Sequence, residues 1–249
     1  MTQTYQTSEI AAIIGIHPNT VRLYEEWGFI PKPERQTNGY RIYTAFHLAQ
    51  LRLVRCALET ELVKNGLRKK AIEVIKTSAI GHFGQAEQLT KDYLSQIKQA
   101  QQNAEEAVNI VHLLLTGVQN EETPRQLTRK ETAEYLQISM DTLRNWELNG
   151  LLTVKRKQNG YRVYTNEDIQ KLKIIHTLRL GNYSLSAILR LFDQLNSNPK
   201  SNIKKVLNNP LATDDIVSVC DKLLTSLGQA ETNAQSLLIQ LAKMKKQFS

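Results

Sequence analysis

Apolar residues recur every three or four positions along two long stretches of the chain. In the first, Leu94, Ile97, Gln101, Ala104, Val108, Val111 and Leu115 fall on one line. In the second, Ile216, Cys220, Leu223, Leu227, Ala230, Ala234, Leu237, Leu241, Met244 and Phe248 do the same without a break. This is the 3.5-residue period of a coiled-coil seam, and it predicts two long helices. A shorter, mixed pattern precedes each. Ile10, Ile13, Ile14 and Ile16 suit a short helix and its exit, and Gly15 suits the turn that stops it. "HPNTVRLYEEWG" then reads as a second helix, with Pro18 at its first position and Gly28 at its end. Helix, tight turn, helix is a helix-turn-helix. Pro31 and Pro33 forbid further helix. Asn38-Gly39 marks a hairpin turn before the alternating Tyr40, Arg41, Ile42 and Tyr43, so a two-stranded wing is expected. Leu48, Leu51, Val54 and Leu58 then share one face of a following helix.

The whole pattern occurs twice. "NGYRIY" (Asn38 to Tyr43) returns as "NGYRVY" (Asn159 to Tyr164). At one constant offset, Glu9, Ala11, Ile16, Thr20, Arg22, Glu25 and Gly28 meet Glu131, Ala133, Ile138, Thr142, Arg144, Glu147 and Gly150. A repeat this long indicates two copies of one unit. In the second copy Thr128 with Glu131 forms a capping box, and Ser139 is placed as an N-cap. The expected fold is mainly α: two winged helix-turn-helix domains with small β-hairpin wings, each followed by a long helix. The long helices are expected to pair as an antiparallel coiled coil. The expected boundaries are 1–82 for the first winged domain, 84–116 for the first long helix and 117–126 for a polar linker. The second winged domain takes 127–195 and the second long helix 211–248.

Composition narrows the function. A net charge of +8 fits a polyanionic partner as well as a merely soluble surface. Two cysteines, Cys56 and Cys220, make no disulfide framework and fit a reducing compartment. No apolar run reaches the ~20 residues of a membrane helix, and the first residues lack the regions of a signal peptide. A cytoplasmic, nucleoid-associated protein is expected. The five histidines have no ligand spacing, and no phosphate loop, nucleophile motif or catalytic acid pair is present. The expectation is a binding protein that is not an enzyme, with no metal and no cofactor.

The candidate partner is double-stranded DNA. The N-terminal residues of a helix seated in the major groove meet base edges. Here these are Pro18, Asn19, Thr20, Arg22 and Leu23, and in the second copy Met140, Asp141, Thr142, Arg144 and Asn145. Arg22 and Arg144 suit guanine or phosphate, or stand as solvated charges. Asp141 suits a cytosine amine or the helix dipole. Tyr24, Tyr40, Tyr43, Tyr161 and Tyr164 offer hydroxyls to phosphate, although Tyr43 and Tyr164 equally suit packing of the wing on the core. Trp146 stands in place of Tyr24 and offers an indole donor instead, while Trp27 reads as core. Gly39 and Gly160 let a phosphate approach the backbone. The wing tips hold Arg35 in the first copy and Lys155, Arg156 and Lys157 in the second.

The pattern T-x-R-x-[YW]-E, then G-[FL]-[IL], then NGYR-x-Y resembles the winged-helix domain of the mercury-resistance regulator (MerR) family of bacterial transcription factors. The resemblance covers Thr7 to about Leu58 and Leu127 to about Phe192, plus the helix after each. "LRLGNYSLSAILRLF" in the second copy looks like the family's fourth helix; "ETELVKNGLRKKAIEVI" in the first matches it loosely. The resemblance implies that Arg41 and Arg162 in the wings also touch DNA. It implies promoter DNA bent and under-twisted for RNA polymerase, and homodimers whose long helices cross antiparallel and end near the partner's winged domain. Thr90 to Leu115 makes ~39 Å of helix, and Thr116 to Gln126 can span ~38 Å. One chain can therefore fold as a monomeric pseudo-dimer; the competing arrangement is a homodimer with four winged domains. Ala104, Ala230 and Ala234 fit a close crossing of the two helices. The family's sensors carry an effector module or thiolate loop after the long helix, whereas this chain stops at Ser249, and Cys56 and Cys220 suit buried structural roles. The alternatives are an architectural protein for recombination or plasmid maintenance, and a coiled-coil scaffold without DNA binding.

Overall fold

The computed structural model describes residues 3–59, 66–116, 126–156, 160–198, 201–208 and 222–248. Lys157, nearly all of the expected linker, and the start of the expected second long helix with Ile216 and Cys220 lie outside the described residues. The chain divides into two compact units, one of Met1–Gln99 with Ser226–Ser249 and the other of Ala100–Thr225.

In the first unit, α1 (Thr7–Ile14) and α2 (Pro18–Glu26) form the helix-turn-helix. The wing is β2 (Glu34–Arg35) against β3 (Arg41–Thr44). The sheet has a third strand that the alternation did not reveal: β1 (Thr4–Tyr5) pairs antiparallel with β3, Tyr5 opposite Tyr43, giving the order β1-β3-β2. A two-residue strand carries too little pattern to be seen in advance. The helix α3 (Ala45–Leu58) follows, then α4 (Leu67–Ala79). Of the loosely matching stretch after Leu58, the residues from Leu67 onward fold as a helix. Gln50, fully buried on α3, ties it down: its Nε2 donates to the carbonyls of Phe29 and Ile75 at 2.9 Å, and its Oε1 accepts from Ser78 at 2.5 Å.

The first long helix, α5, runs Phe83–Thr116, and the second, α11, runs Leu223–Phe248. Within the first unit they lie antiparallel, as the pairs Glu87–Lys245 (3.2 Å) and Lys98–Glu231 (3.7 Å) require. Leu237, Leu241 and Met244 of α11 enter one core with Ile10, Val21, Tyr43, Leu51, Val54 and Phe83. Phe248 sets its ring 5.2 Å from that of Phe46. The thiol of Cys56 donates to the carbonyl of Asn233 at 3.6 Å, and burial raises its pKa.

The second unit repeats the plan. It has α6 (Arg129–Tyr135), α7 (Met140–Leu148), a hairpin of β4 (Lys155–Arg156) and β5 (Arg162–Val163), then α8 (Asn166–Leu180) and α9 (Leu185–Ser197). A single bridge, Leu127 with Tyr164, stands where β1 stood. The short α10 (Ile203–Asn208) packs on α9. The far half of α5 belongs to this unit and meets it at Gly181: a Cβ built there would lie 2.6 Å from the Cβ of Ala107. Among the described residues no helix is long and apolar enough to cross a membrane.

Gly181→Ala should therefore lower the stability of the second unit by about 1–3 kcal/mol, read as a lower urea midpoint. A second expectation concerns His47, only 6% exposed. Its Nδ1 accepts from the Thr44 backbone N–H at 3.1 Å and completes the capping box of α3. The ring meets the edge of Tyr43 at 5.4 Å and lies near Phe46 and the Glu25 carboxylate. Burial holds its pKa below the ordinary 6.5. The unfolded chain then binds the proton first, so this stability is present above pH 6.5 and is lost as pH falls toward and through the lower folded value. Thermal melts of His47→Gln, which keeps a capping partner without titrating, should lose that acid-side slope.

Candidate nucleic-acid interface

Each copy exposes the second helix of its helix-turn-helix, and its wing, through the same logic. In α2, Pro18 presets the first turn and the His17 Nδ1 caps it, accepting from the Asn19 N–H at 3.2 Å. Val21 and Tyr24 face the core. Asn19, Arg22 and Leu23 stay exposed and Thr20 is half-buried. Arg22 donates to Asn19 Oδ1 at 2.9 Å, which holds the guanidinium over the first turn. In α7 the cap is Ser139, whose Oγ accepts from the Thr142 N–H at 3.0 Å and shares a hydrogen bond with the Thr142 hydroxyl at 2.9 Å. Leu143 and Trp146 face inward, while Met140, Asp141, Arg144 and Asn145 are exposed.

In the first wing, Gly39 takes φ +84°, and its N–H donates to the Gln36 carbonyl at 2.8 Å. Arg35 and Tyr40 flank this turn and are exposed. In the second wing Lys155, Arg156, Gly160 and Tyr161 are exposed. Arg41 and Arg162, by contrast, are half-buried and engaged. Arg41 Nε meets Glu25 Oε2 at 2.7 Å. Arg162 Nε meets Glu147 Oε2 at 2.8 Å, and Arg129 Nη2 meets the same oxygen at 2.6 Å. Tyr164 donates its hydroxyl to the other oxygen of Glu147.

The structure thus divides the sequence-derived set. Asn19, Arg22, Arg35, Gly39, Tyr40, Asp141, Arg144, Lys155, Arg156, Gly160 and Tyr161 lie at the surface, and Thr20, Thr142, Arg41 and Arg162 lie half-buried beside them. Tyr24, Tyr43, Trp146 and Tyr164 are in the cores. Burial raises the pKa of Tyr43, and it pushes Tyr164 up to about 12, with the Glu147 hydrogen bond adding to the rise. Trp27 is half-exposed, contrary to the core expectation. Tyr24 and Phe29 fill the interior, and Trp27 covers them from outside at 6.1 and 5.5 Å between ring centroids. Glu25 and Glu147 were visible in the sequence only as repeat matches. Their signal was a carboxylate and a wing arginine recurring together in both copies. Beside α7 an open groove of about 560 Å3 is lined by Asp141, Thr142, Asn145, Trp146, His176 and Arg179, among others. Among the described residues no group of three metal-ligating side chains occurs.

The family model described as MerR HTH family regulatory protein matches residues 5–74 and 127–195, more than half of the chain. The chain belongs to the MerR family. Among curated proteins, the HTH-type transcriptional regulator CueR of Escherichia coli O6:H1 is 46% identical over 50 residues, which is 20% of this chain and 37% of CueR. The mercuric resistance operon regulatory protein of Bacillus cereus is 32% identical over 65 residues, 26% of this chain and 49% of that protein. An uncharacterized HTH-type transcriptional regulator of Synechocystis is 40% identical over 50 residues, 20% of this chain and 36% of its own length. The chain therefore spans half or less of the length of these relatives. No solved structure matches it.

The two tryptophans report separately on the two copies. Trp27→Phe leaves Trp146, 4% exposed, and should give blue-shifted emission that resists acrylamide. Trp146→Phe leaves Trp27, 50% exposed, and should give red-shifted, readily quenched emission.

Proposed function

We propose that this MerR-family chain is a DNA-binding transcription regulator of the cytoplasm that folds as a single-chain pseudo-dimer. Its two winged domains grip neighbouring turns of one promoter duplex and distort the DNA between them, to the benefit of RNA polymerase. One observation carries the reading. In both units the same positions, Arg22, Arg35 and Tyr40 in the first and Arg144, Arg156 and Tyr161 in the second, present cations and a hydroxyl to solvent, while Tyr24, Tyr43, Trp146 and Tyr164 are withdrawn into the cores.

The pseudo-dimer draws support from the division of the long helices. The helix after the second winged domain closes the core of the first, and the far half of the helix after the first meets the second at Gly181. The two recognition surfaces are also unlike. One offers an imidazole cap, Asn19 and a tethered Arg22; the other offers two hydroxyls, Asp141 and Arg144. Such a pair reads unlike half-sites, where a homodimer reads a palindrome.

Selection of bound sequences from random duplexes tests this, and it should return two different half-sites. A perfect palindrome, or a dimer mass by sedimentation, counts against the pseudo-dimer. If ~6–10 phosphates are neutralised, affinity should fall ~10³–10⁵-fold between 50 and 200 mM salt. Arg144→Ala should cost about 1–3 kcal/mol of binding and relax preference in the second half-site alone. Footprints confined to recombination or partition sites would instead favour an architectural role.

A further inference from the structure

The wing arginines present a physical difficulty that the fold resolves in the same place twice. In the first hairpin Arg35 lies directly opposite Arg41, and in the second Arg156 lies directly opposite Arg162. Like charges facing each other across a strand pair repel. In both copies a carboxylate from the recognition helix draws off the inner arginine: Glu25 takes Arg41 at 2.7 Å, and Glu147 takes Arg162 at 2.8 Å. These carboxylates are well covered, with side-chain exposures of 14% and 9%, so water screens the contact less than at an open surface. The outer arginine stays exposed at each wing.

The two staples are wired differently. In the first, one carboxylate holds one guanidinium. In the second, Glu147 receives Arg129 at 2.6 Å, Arg162 at 2.8 Å and the Tyr164 hydroxyl. Arg129 opens α6, so the second staple joins three elements where the first joins two. By the repeat, Thr7 stands where Arg129 does.

We propose that Glu25 and Glu147 are positioning residues for duplex recognition. Each holds its wing arginine by the Nε and fixes the wing at one angle to the recognition helix, and the second wing is set more firmly than the first. This inference rests on the DNA-binding reading above. It makes the Nε ends of Arg41 and Arg162 struts between wing and recognition helix.

The test uses the full chain, the selected operator and a scrambled duplex, each over a range of salt. In Glu25→Gln the Arg41 guanidinium loses its compensating charge and the wing its fixed angle. Affinity for the scrambled duplex should rise and its salt slope should steepen by about one. The operator-to-scrambled ratio should fall roughly tenfold, a tenfold change being the size of one modest contact. Exchanging the pair, Glu25→Arg with Arg41→Glu, should bring the ratio back. Arg129→Thr gives the second staple the wiring of the first, and it should lower discrimination at the second half-site while leaving the first unchanged. It also serves where Glu147→Gln fails to fold. A parallel loss of affinity for both duplexes, which a merely structural role produces, overturns the proposal, and so does an unchanged ratio. A wild-type chain that binds no duplex overturns the DNA-binding reading together with this one.

Discussion

The structure depends on a shortage of core. A winged domain of about 60 residues buries only about 60% of the surface its unfolded chain exposes. In this protein the first such domain completes its interior with Leu237, Leu241 and Met244, supplied by a helix from the far end of the sequence. The second is approached by α5 closely enough that Gly181 has room for hydrogen alone. The apolar seams of the long helices are thus spent on the winged domains as well as on each other. The charged pairs Glu87–Lys245 and Lys98–Glu231 lie at the edges of that packing and orient it, contributing little by themselves.

The parts of the fold written twice were legible. Seam positions from Leu223 to Met244 are buried as their spacing required, and the helix-turn-helix and the wing appear where turn residues and alternation put them. What was hidden depends on tertiary contact. A two-residue strand such as β1 exists only because β3 offers it an edge. Gln50 looks like a surface residue in sequence and is a buried bracket in space, satisfied by two carbonyls and a hydroxyl. Gly15 announces a tight turn, yet the second copy makes the same turn with Gln137 at φ +54°, a left-handed backbone that most side chains resist. There the Gln137 N–H donates to the Glu134 carbonyl at 3.2 Å and the Ile138 N–H to the Ala133 carbonyl at 3.0 Å, which close the turn without a glycine.

The candidate interface was legible by position more than by role. The exposed polar residues of both recognition helices were identifiable from spacing. Which aromatic faced inward was not, because Tyr24 and Trp27 lie three residues apart on one helix end and their assignment turns on Phe29. The engagement of the wing arginines was likewise invisible, since the charge that engages each lies 15 or 16 residues away in sequence. One scaffold, copied, therefore carries two different tips and two different internal tethers, and the differences concentrate in polar side chains while the apolar pattern is kept.

The return of α11 to the first unit sets an order on synthesis. The first winged domain leaves the ribosome before α11 and lacks part of its interior until that helix emerges. At roughly 5–20 residues per second, that wait is on the order of ten seconds or more. During it, the apolar surface later covered by Leu237 and Met244 stands open to solvent.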